Sequence, residues 1–174
     1  MQQPESAQEA NRPLEHSSVS PGELLMRRVP NQPIYFKKGR LQQGTFLPRK
    51  HPNDQDGLSL SRRHTPERPN FLTPEQFRAN CTDDKMRKTA GVLVVPVDDI
   101  WAIVGRLVKP APTEADLEKG LVEDPGHVII PEINSKLDHN GPDSTDASRG
   151  KLREMAAALA YRFSDMKHFA ILPG

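Results

Sequence analysis

The chain has 174 residues and a formal net charge of +1, with 24 Lys and Arg residues against 23 Asp and Glu residues. This is the length of one ordinary domain, with or without a tail, and it leaves little room for two full domains. Hydrophobic residues make up 35% of the chain and 17 prolines are spread along it, so we expect a small core and no long uninterrupted helices. The near-neutral balance does not by itself indicate a nucleic-acid or membrane partner.

The single cysteine, Cys81, excludes an intramolecular disulfide and a zinc-binding cysteine cluster. The longest apolar stretch, from Gly91 to Gly105, is interrupted by Pro96 and two aspartates, and it falls short of the roughly 18 residues that cross a bilayer. The chain contains neither a P-loop nor a nucleophile-elbow motif. We therefore predict a cytoplasmic protein with no cofactor and no membrane partner.

Composition divides the chain into three parts. Residues 1–20 are rich in Gln, Glu, Ser, Asn and Pro, which predicts a tail that is disordered or held by a partner. Residues 21–163 are predicted to form a single domain. Residues 164–174 carry Phe169, Ile171 and Leu172, enough apolar surface for a tail that docks on the domain or on a partner.

The first half of this domain is predicted to be rich in short strands. Residues 23–29 form a strand-like segment that stops at Pro30, and two further apolar segments, 34–36 and 41–47, flank a turn at Gly39. Residues 58–61 alternate apolar and polar side chains, as a half-buried strand does.

The second half is predicted to add helices. Thr73 begins a capping box for a helix that extends to about Asn80. The continuous apolar run 91–96 predicts a strand buried on both faces at the centre of the sheet, followed by a helix over 98–104 that ends at Gly105.

Three more elements follow along the chain. They are a short strand at 107–109, a helix over 113–121 capped by Thr113, and a strand over 127–133. The longest helix is predicted from Ser148 to about Phe163. The fold class is therefore α+β, with a small, mixed and irregular β-sheet, a few short helices and a C-terminal helix.

Charge is distributed unevenly along the chain. Residues 21–70 contain ten Lys or Arg residues against four acidic residues, whereas residues 71–140 contain eight against twelve. Cations interleaved with aromatic residues suit the binding of a nucleic-acid backbone, although solvated strand faces with inward-facing aromatic residues give the same pattern. The candidate basic patch comprises Arg27, Arg28, Lys37, Lys38, Arg40, Arg49, Lys50, Arg62 and Arg63, and the candidate aromatic contacts are Tyr35, Phe36 and Phe46.

The histidines offer one alternative site. His127, Glu132 and His139 lie around the last predicted strand and the loop that follows it, and they are residue types that could bind the metal of a nuclease. Their spacing does not force them together. Surface or turn histidines are the other interpretation.

Short motifs carry a resemblance to a recurrent group of small bacterial proteins of uncharacterised function, with an "LxRRI … GR … AF … GLSV" front and an "NPAHALI" strand near the end. The resemblance covers roughly residues 24–133 and implies a bacterial intracellular domain without supplying a reaction. The matching segments are Leu24–Val29, Gly39–Phe46, Asp56–Leu60, Val92–Val104 and Asp124–Ile129.

A second resemblance is to the split β core of ADP-ribosyltransferase-type folds. In such folds an Arg or His ends the first strand and a Ser-containing strand lines a nicotinamide cleft. The resemblance places Arg27 or Arg28 and Ser59 or Ser61 in those roles, with Glu132 as the late acidic residue.

These patterns favour a non-enzymatic accessory subunit of a bacterial intracellular assembly. Such a subunit would bind a larger protein partner, and its basic first half would contact either an acidic protein face or a nucleic-acid backbone. An ADP-ribosyltransferase-like enzyme using Arg27, Ser59 and Glu132, a metal-assisted nuclease, and a stand-alone nucleic-acid binder are the alternatives.

Overall fold

The computed structural model describes residues 18–49, 54–105, 108–139 and 141–174. Within these ranges the chain is α+β, which confirms the predicted class, and no helix combines the length and apolar character needed to cross a bilayer.

The strands are β1 (Leu24–Val29), β2 (Phe36–Lys37), β3 (Arg40–Leu41), β4 (Leu58–Arg62), β5 (Gly91–Pro96), β6 (Lys109–Pro110), β7 (His127–Ile130) and β8 (Phe169–Ile171). The α-helices are α1 (Pro74–Ala79), α2 (Asp84–Thr89), α3 (Val97–Val104) and α4 (Asp146–Arg162), and 3-10 turns occupy Gln43–Phe46, Ser135–Leu137 and Met166–His168.

Six of the strands form one antiparallel sheet in the order β6-β7-β4-β1-β5-β8, and β2 and β3 form a separate hairpin. The prediction that residues 91–96 lie at the centre of the sheet is wrong, because β5 is second from one edge. Its continuous apolar sequence reflects cover on both faces. Leu93 packs in the main core, whereas Val92 packs in a smaller cluster on the opposite face.

The sheet is divided between its two middle strands. All six residues of β1 pair with β5, but only Leu25 and Met26 pair with β4, opposite Arg62 and Ser61. The remaining residues of β4 pair with β7 on their other side. The two halves of the sheet are thus joined at one end and separate at the other.

Helix α4 covers one face of the sheet. Thr145 and Ser148 form a capping box, so the helix begins two residues before the predicted start. Leu152, Leu159 and the C-cap Phe163 are at most 1% exposed in the main core. The opposite face is covered by α1, whose predicted capping box at Thr73 is confirmed.

The helix predicted over 113–121 is wrong. The segment is a hairpin, with bridges from Thr113 to Asp124 and from Asp116 to Leu121, and we call residues 113–124 the 113–124 hairpin. Gly120, at a φ of +69°, permits the tight turn. A helix here would lack an apolar face to bury, and Leu117 is indeed 89% exposed.

Of the two predicted tails, the structure describes the C-terminal one in full and the N-terminal one only from residue 18. Residues 1–17 of the predicted N-terminal tail lie outside the described residues. The C-terminal segment docks on the domain itself, because β8 pairs with β5 as an edge strand.

An ion-pair cluster lies where β1 and β4 are joined. The Glu23 carboxylate accepts hydrogen bonds from Arg62, with Nη2 to Oε2 at 2.9 Å, and from Arg68 Nη1 at 3.1 Å. The Arg62 side chain is fully buried, and its guanidinium lies 4.8 Å from the centre of the Phe71 ring. Such a buried cation depends strongly on its carboxylate partner.

We expect Glu23→Gln to lower the free energy of unfolding by about 3 kcal/mol, because the amide removes the negative charge beside a buried guanidinium. Urea denaturation of the full chain measures this loss. Glu67→Gln, the same change at an exposed position, serves as the control. Equal stability of the two variants would contradict the assignment of Glu23 as the carboxylate that stabilises the buried Arg62 guanidinium.

Candidate functional site

The space between the separated ends of β1 and β4 opens into a cavity of about 480 Å³. The two strands, the end of α1 and the 113–124 hairpin all contribute to its wall. The residues with charged or polar side chains in its lining include Arg27, Arg28, Arg49, Asp54, Ser59, Asn80, Cys81, Glu114, Asp124 and His127.

Arg27 lines the part of the cavity between the two strands. The residue is 3% exposed, and its guanidinium donates to two backbone carbonyl oxygens, from Nε to Thr45 at 3.0 Å and from Nη1 to Ser59 at 2.7 Å. Its Nη2 is buried and has no hydrogen-bond partner among the described residues. A buried donor without a partner is costly, so this nitrogen retains an unmet need for an acceptor.

Arg28 and Arg49 lie beside it. Arg28 donates from Nε to the Phe77 carbonyl oxygen at 2.9 Å and from Nη2 to that of Asn80 at 2.6 Å, and it lies over the Phe77 ring. Arg49 Nη2 donates to the Arg28 carbonyl oxygen at 3.4 Å, while its own backbone N–H donates to Asp54. Within the described ranges, none of the three guanidinium groups forms an ion pair with a carboxylate.

Burial and mutual repulsion act on these cations. Burial lowers the pKa of Arg27 to about 9, with a further contribution from Arg49. Burial likewise lowers the pKa of Arg28 to about 10. The negative charges of Asp54 and Asp124 oppose this lowering of the pKa at Arg27 and Arg28, respectively. Both arginine side chains remain charged at neutral pH, so a bound anion would stabilise them.

His127 and Asp124 also line the cavity. The His127 Nδ1 lies 2.7 Å from the Ala111 carbonyl oxygen, which only accepts, so Nδ1 carries a hydrogen. Asp124 Oδ1 accepts from Ser61 Oγ at 2.8 Å and from the Gly126 N–H at 3.2 Å. Burial raises the pKa of Asp124, against opposing effects of the Ser61 hydrogen bond and the His127 charge.

The predicted basic patch is distributed over several places. Arg27, Arg28 and Arg49 line the cavity, whereas Lys37, Lys38 and Arg40 are exposed on the β2–β3 hairpin. Arg62 is buried against Glu23, Arg63 is half-buried beyond the end of β4, and Lys50 lies outside the described residues.

The predicted aromatic contacts pack inward. Phe46 is fully buried in the main core, and Tyr35 and Phe36 are half-buried against the same cluster. Phe36 meets Phe169 edge-to-face, with ring centres 5.5 Å apart. These rings therefore contribute to packing beside the cations of the β2–β3 hairpin.

The alternative catalytic residues are brought together in part. Arg27 and Ser59 are hydrogen-bonded in the cavity, and Arg28 also lines it. Ser61 is buried and donates to Asp124. Glu132 is not among the residues that line the cavity, and its Oε2 is buried without a partner among the described residues.

The alternative metal ligands do not converge. His127 is bonded to Ala111, and His139 Nε2 lies 2.6 Å from Arg153 Nη2. Across the part of the chain that the structure describes, no group of three His, Cys, Asp or Glu side chains could hold a metal ion.

Sequence reasoning missed Asp124 and Asn80 as site residues. Both are brought to the cavity by contacts between distant segments: Asp124 by its bond to Ser61, and Asn80 by hydrogen bonds to Val122. The Asp-Pro-Gly turn before β7 was the one local signal that could have drawn attention to Asp124.

Comparisons with protein-family models, with curated proteins and with solved structures give no match to this chain. The interpretation of the cavity therefore depends on its geometry and chemistry.

The raised pKa of Asp124 predicts a pH-dependent effect of Asp124→Asn. A carboxyl group with a raised pKa binds its proton more tightly in the folded chain, so its ionised form costs stability at neutral pH, and this cost disappears as the pH falls towards the ordinary value of 3.8. The amide keeps an oxygen for Ser61 and Gly126 and cannot ionise. We therefore expect the variant to be more stable than the wild type near pH 7 and the difference to shrink towards about pH 4.

Denaturation by urea across this pH range measures the effect. Asp143→Asn, at an exposed position, should show no such trend. A difference for Asp124→Asn that is constant with pH, or a loss of stability that is largest at neutral pH, would contradict the raised pKa.

Proposed function

We propose that the protein binds a small phosphorylated molecule in the cavity between β1 and β4. The observation that carries this proposal is the group of three guanidinium groups, from Arg27, Arg28 and Arg49, that line one cavity without carboxylate partners among the described residues. In Arg27, a buried nitrogen has no acceptor among the residues that the structure describes.

Phosphate suits these groups for two reasons. Guanidinium is a planar fork whose parallel N–H groups match the oxygens of a phosphate. A phosphate also brings up to two negative charges, so it offsets more of the positive charge in the cavity than a carboxylate does. The attraction is strengthened by partial exclusion of water from the site.

Cavity size favours a small molecule over a nucleic-acid duplex. The volume of about 480 Å³ is that of a typical small-molecule site. Arg27, at 3% exposure, lies too deep for the backbone of a duplex to reach. The carboxylates of Asp54 and Glu114 also line the cavity. Because they repel an anion, a bound phosphate should lie close to the guanidinium groups.

We expect calorimetric titration of the full chain with pyrophosphate to show binding that weakens with added salt. Arg49→Met keeps much of the side-chain volume and removes the charge, so the affinity should fall by about tenfold or more, the scale of one charge-assisted hydrogen bond. Arg40→Met, at an exposed position on β3, should leave the affinity unchanged. Equal affinities of the wild type and Arg49→Met would overturn the proposal.

ADP-ribosyl transfer is a second candidate, favoured by the positions of Arg27 and Ser59, which both line the cavity. In this version Asp124 supplies the carboxylate, because it lines the cavity and Glu132 does not. The wild type should then release nicotinamide from NAD, with water as the acceptor of the ADP-ribosyl group when no other acceptor is supplied, and Asp124→Asn should slow the release by about a hundredfold. Glu132→Gln is the matched control, and chromatography of the released nicotinamide is the measurement.

Absence of nicotinamide release by the wild type would remove this second candidate and leave phosphate binding standing. The larger protein partner, the nucleic-acid partner and the cytoplasmic location stay predictions. Of the basic set, Lys37, Lys38 and Arg40 are the exposed residues that a nucleic-acid backbone could contact.

A further inference from the structure

A second cavity of about 490 Å³ adjoins the arginine-lined cavity. Asn80 and Val122 line both cavities, so this pair of residues stands where the two cavities meet. We call the arginine-lined cavity the first chamber and its neighbour the second chamber.

Two hydrogen bonds hold the shared pair together. The Asn80 Nδ2 donates to the Val122 carbonyl oxygen at 3.1 Å, and the Val122 N–H donates to Asn80 Oδ1 at 2.9 Å. The end of α1 is thereby fixed to the 113–124 hairpin. The Val122 side chain takes no part in these bonds and is 53% exposed, so an apolar group is presented between the chambers.

The two chambers differ in chemistry. Three guanidinium groups line the first, whereas Glu123 is the one ionisable group among the described residues that line the second. Pro69, Pro125 and Phe71 give the second chamber apolar walls, and the carboxamides of Asn70 and Gln76 add polar groups. An apolar site with a few polar groups takes an uncharged moiety and orients it by hydrogen bonds.

We propose that the two chambers are subsites for one ligand, a phosphate ester that also carries a flat, uncharged ring with a polar edge. The phosphate lies among Arg27, Arg28 and Arg49, and the ring lies in the second chamber against Val122. This inference rests on the proposed function, because it takes the first chamber as the phosphate site.

A ring fits this site better than an alkyl chain. The faces of a heterocycle cover apolar side chains such as Val122 and Pro125, while its edge can bond to a carboxamide. An alkyl chain would cover the same surface and leave the carboxamide groups without ligand partners.

Two probes that differ only in the ring test the inference. AMP and ribose 5-phosphate share the phosphate and the sugar, so calorimetric titration of the full chain with each isolates the contribution of adenine. We expect AMP to bind about tenfold more tightly or better, the scale of burying one aromatic ring.

Two variants assign this gain to the second chamber. Ala79→Trp at the exposed end of α1 fills the chamber, and it should reduce the affinity for AMP to that for ribose 5-phosphate while leaving the latter unchanged. Val122→Ser removes apolar surface but keeps the two hydrogen bonds between the residue 122 backbone and Asn80, and it should lower the affinity for AMP more than the affinity for ribose 5-phosphate. Ala158→Trp, at an exposed position of α4 that lines neither chamber, is the control.

The outcomes separate the two proposals. Equal affinities for AMP and ribose 5-phosphate, both lost in Arg49→Met, would overturn the two-chamber inference and leave phosphate binding intact. An adenine contribution that survives both Ala79→Trp and Val122→Ser would also overturn the two-chamber inference and leave phosphate binding intact. Binding of either probe that is unchanged in Arg49→Met would overturn the proposed function itself, as would absence of binding by both probes and by pyrophosphate.

Discussion

The buried guanidinium of Arg27 occupies the position on which the arrangement of the site depends. Beyond Met26 and Ser61, β1 and β4 no longer pair, and the Arg27 side chain donates to a carbonyl oxygen of β4 and to one in the 43–46 turn instead. Those hydrogen bonds satisfy buried acceptors where no ladder forms. The same residue therefore stabilises the separation of the strands and places a positive charge inside it.

The closed end of the sheet is stabilised by ion pairs, in which one carboxylate binds two guanidinium groups. Glu23 bonds to both Arg62 and Arg68, whereas the guanidinium groups in the first chamber bond mainly to neutral carbonyl oxygens. Two sets of arginines drawn from one basic segment thus serve opposite purposes. One set is ion-paired with Glu23 and contributes to stability, and the other, which forms no ion pair among the described residues, retains the capacity to attract an anion.

Local signals predicted local structure well. The capping residue Thr73 and the helix-ending Gly105 act within one turn of their own helices, so the sequence alone locates those ends. The 113–124 hairpin was mistaken for a helix because Thr113, acidic residues and Gly120 suit either structure until burial is known. Counting charges found Arg27, Arg28 and Arg49, but composition does not distinguish a buried guanidinium from an exposed one. Their convergence with Asp124 depends on pairings between β1, β4 and β7 that span some hundred residues.

The 113–124 hairpin places negative charge beside the site. Glu114 lines the first chamber, and the exposed Glu118 and half-buried Asp116 belong to the same hairpin, so an anion near the cavity is repelled by carboxylates as well as attracted by arginines. Added salt screens both effects. Weaker repulsion speeds association, and weaker attraction to the arginines speeds dissociation. The dissociation rate alone sets how long an anion stays in the cavity, so the residence time shortens as salt is added.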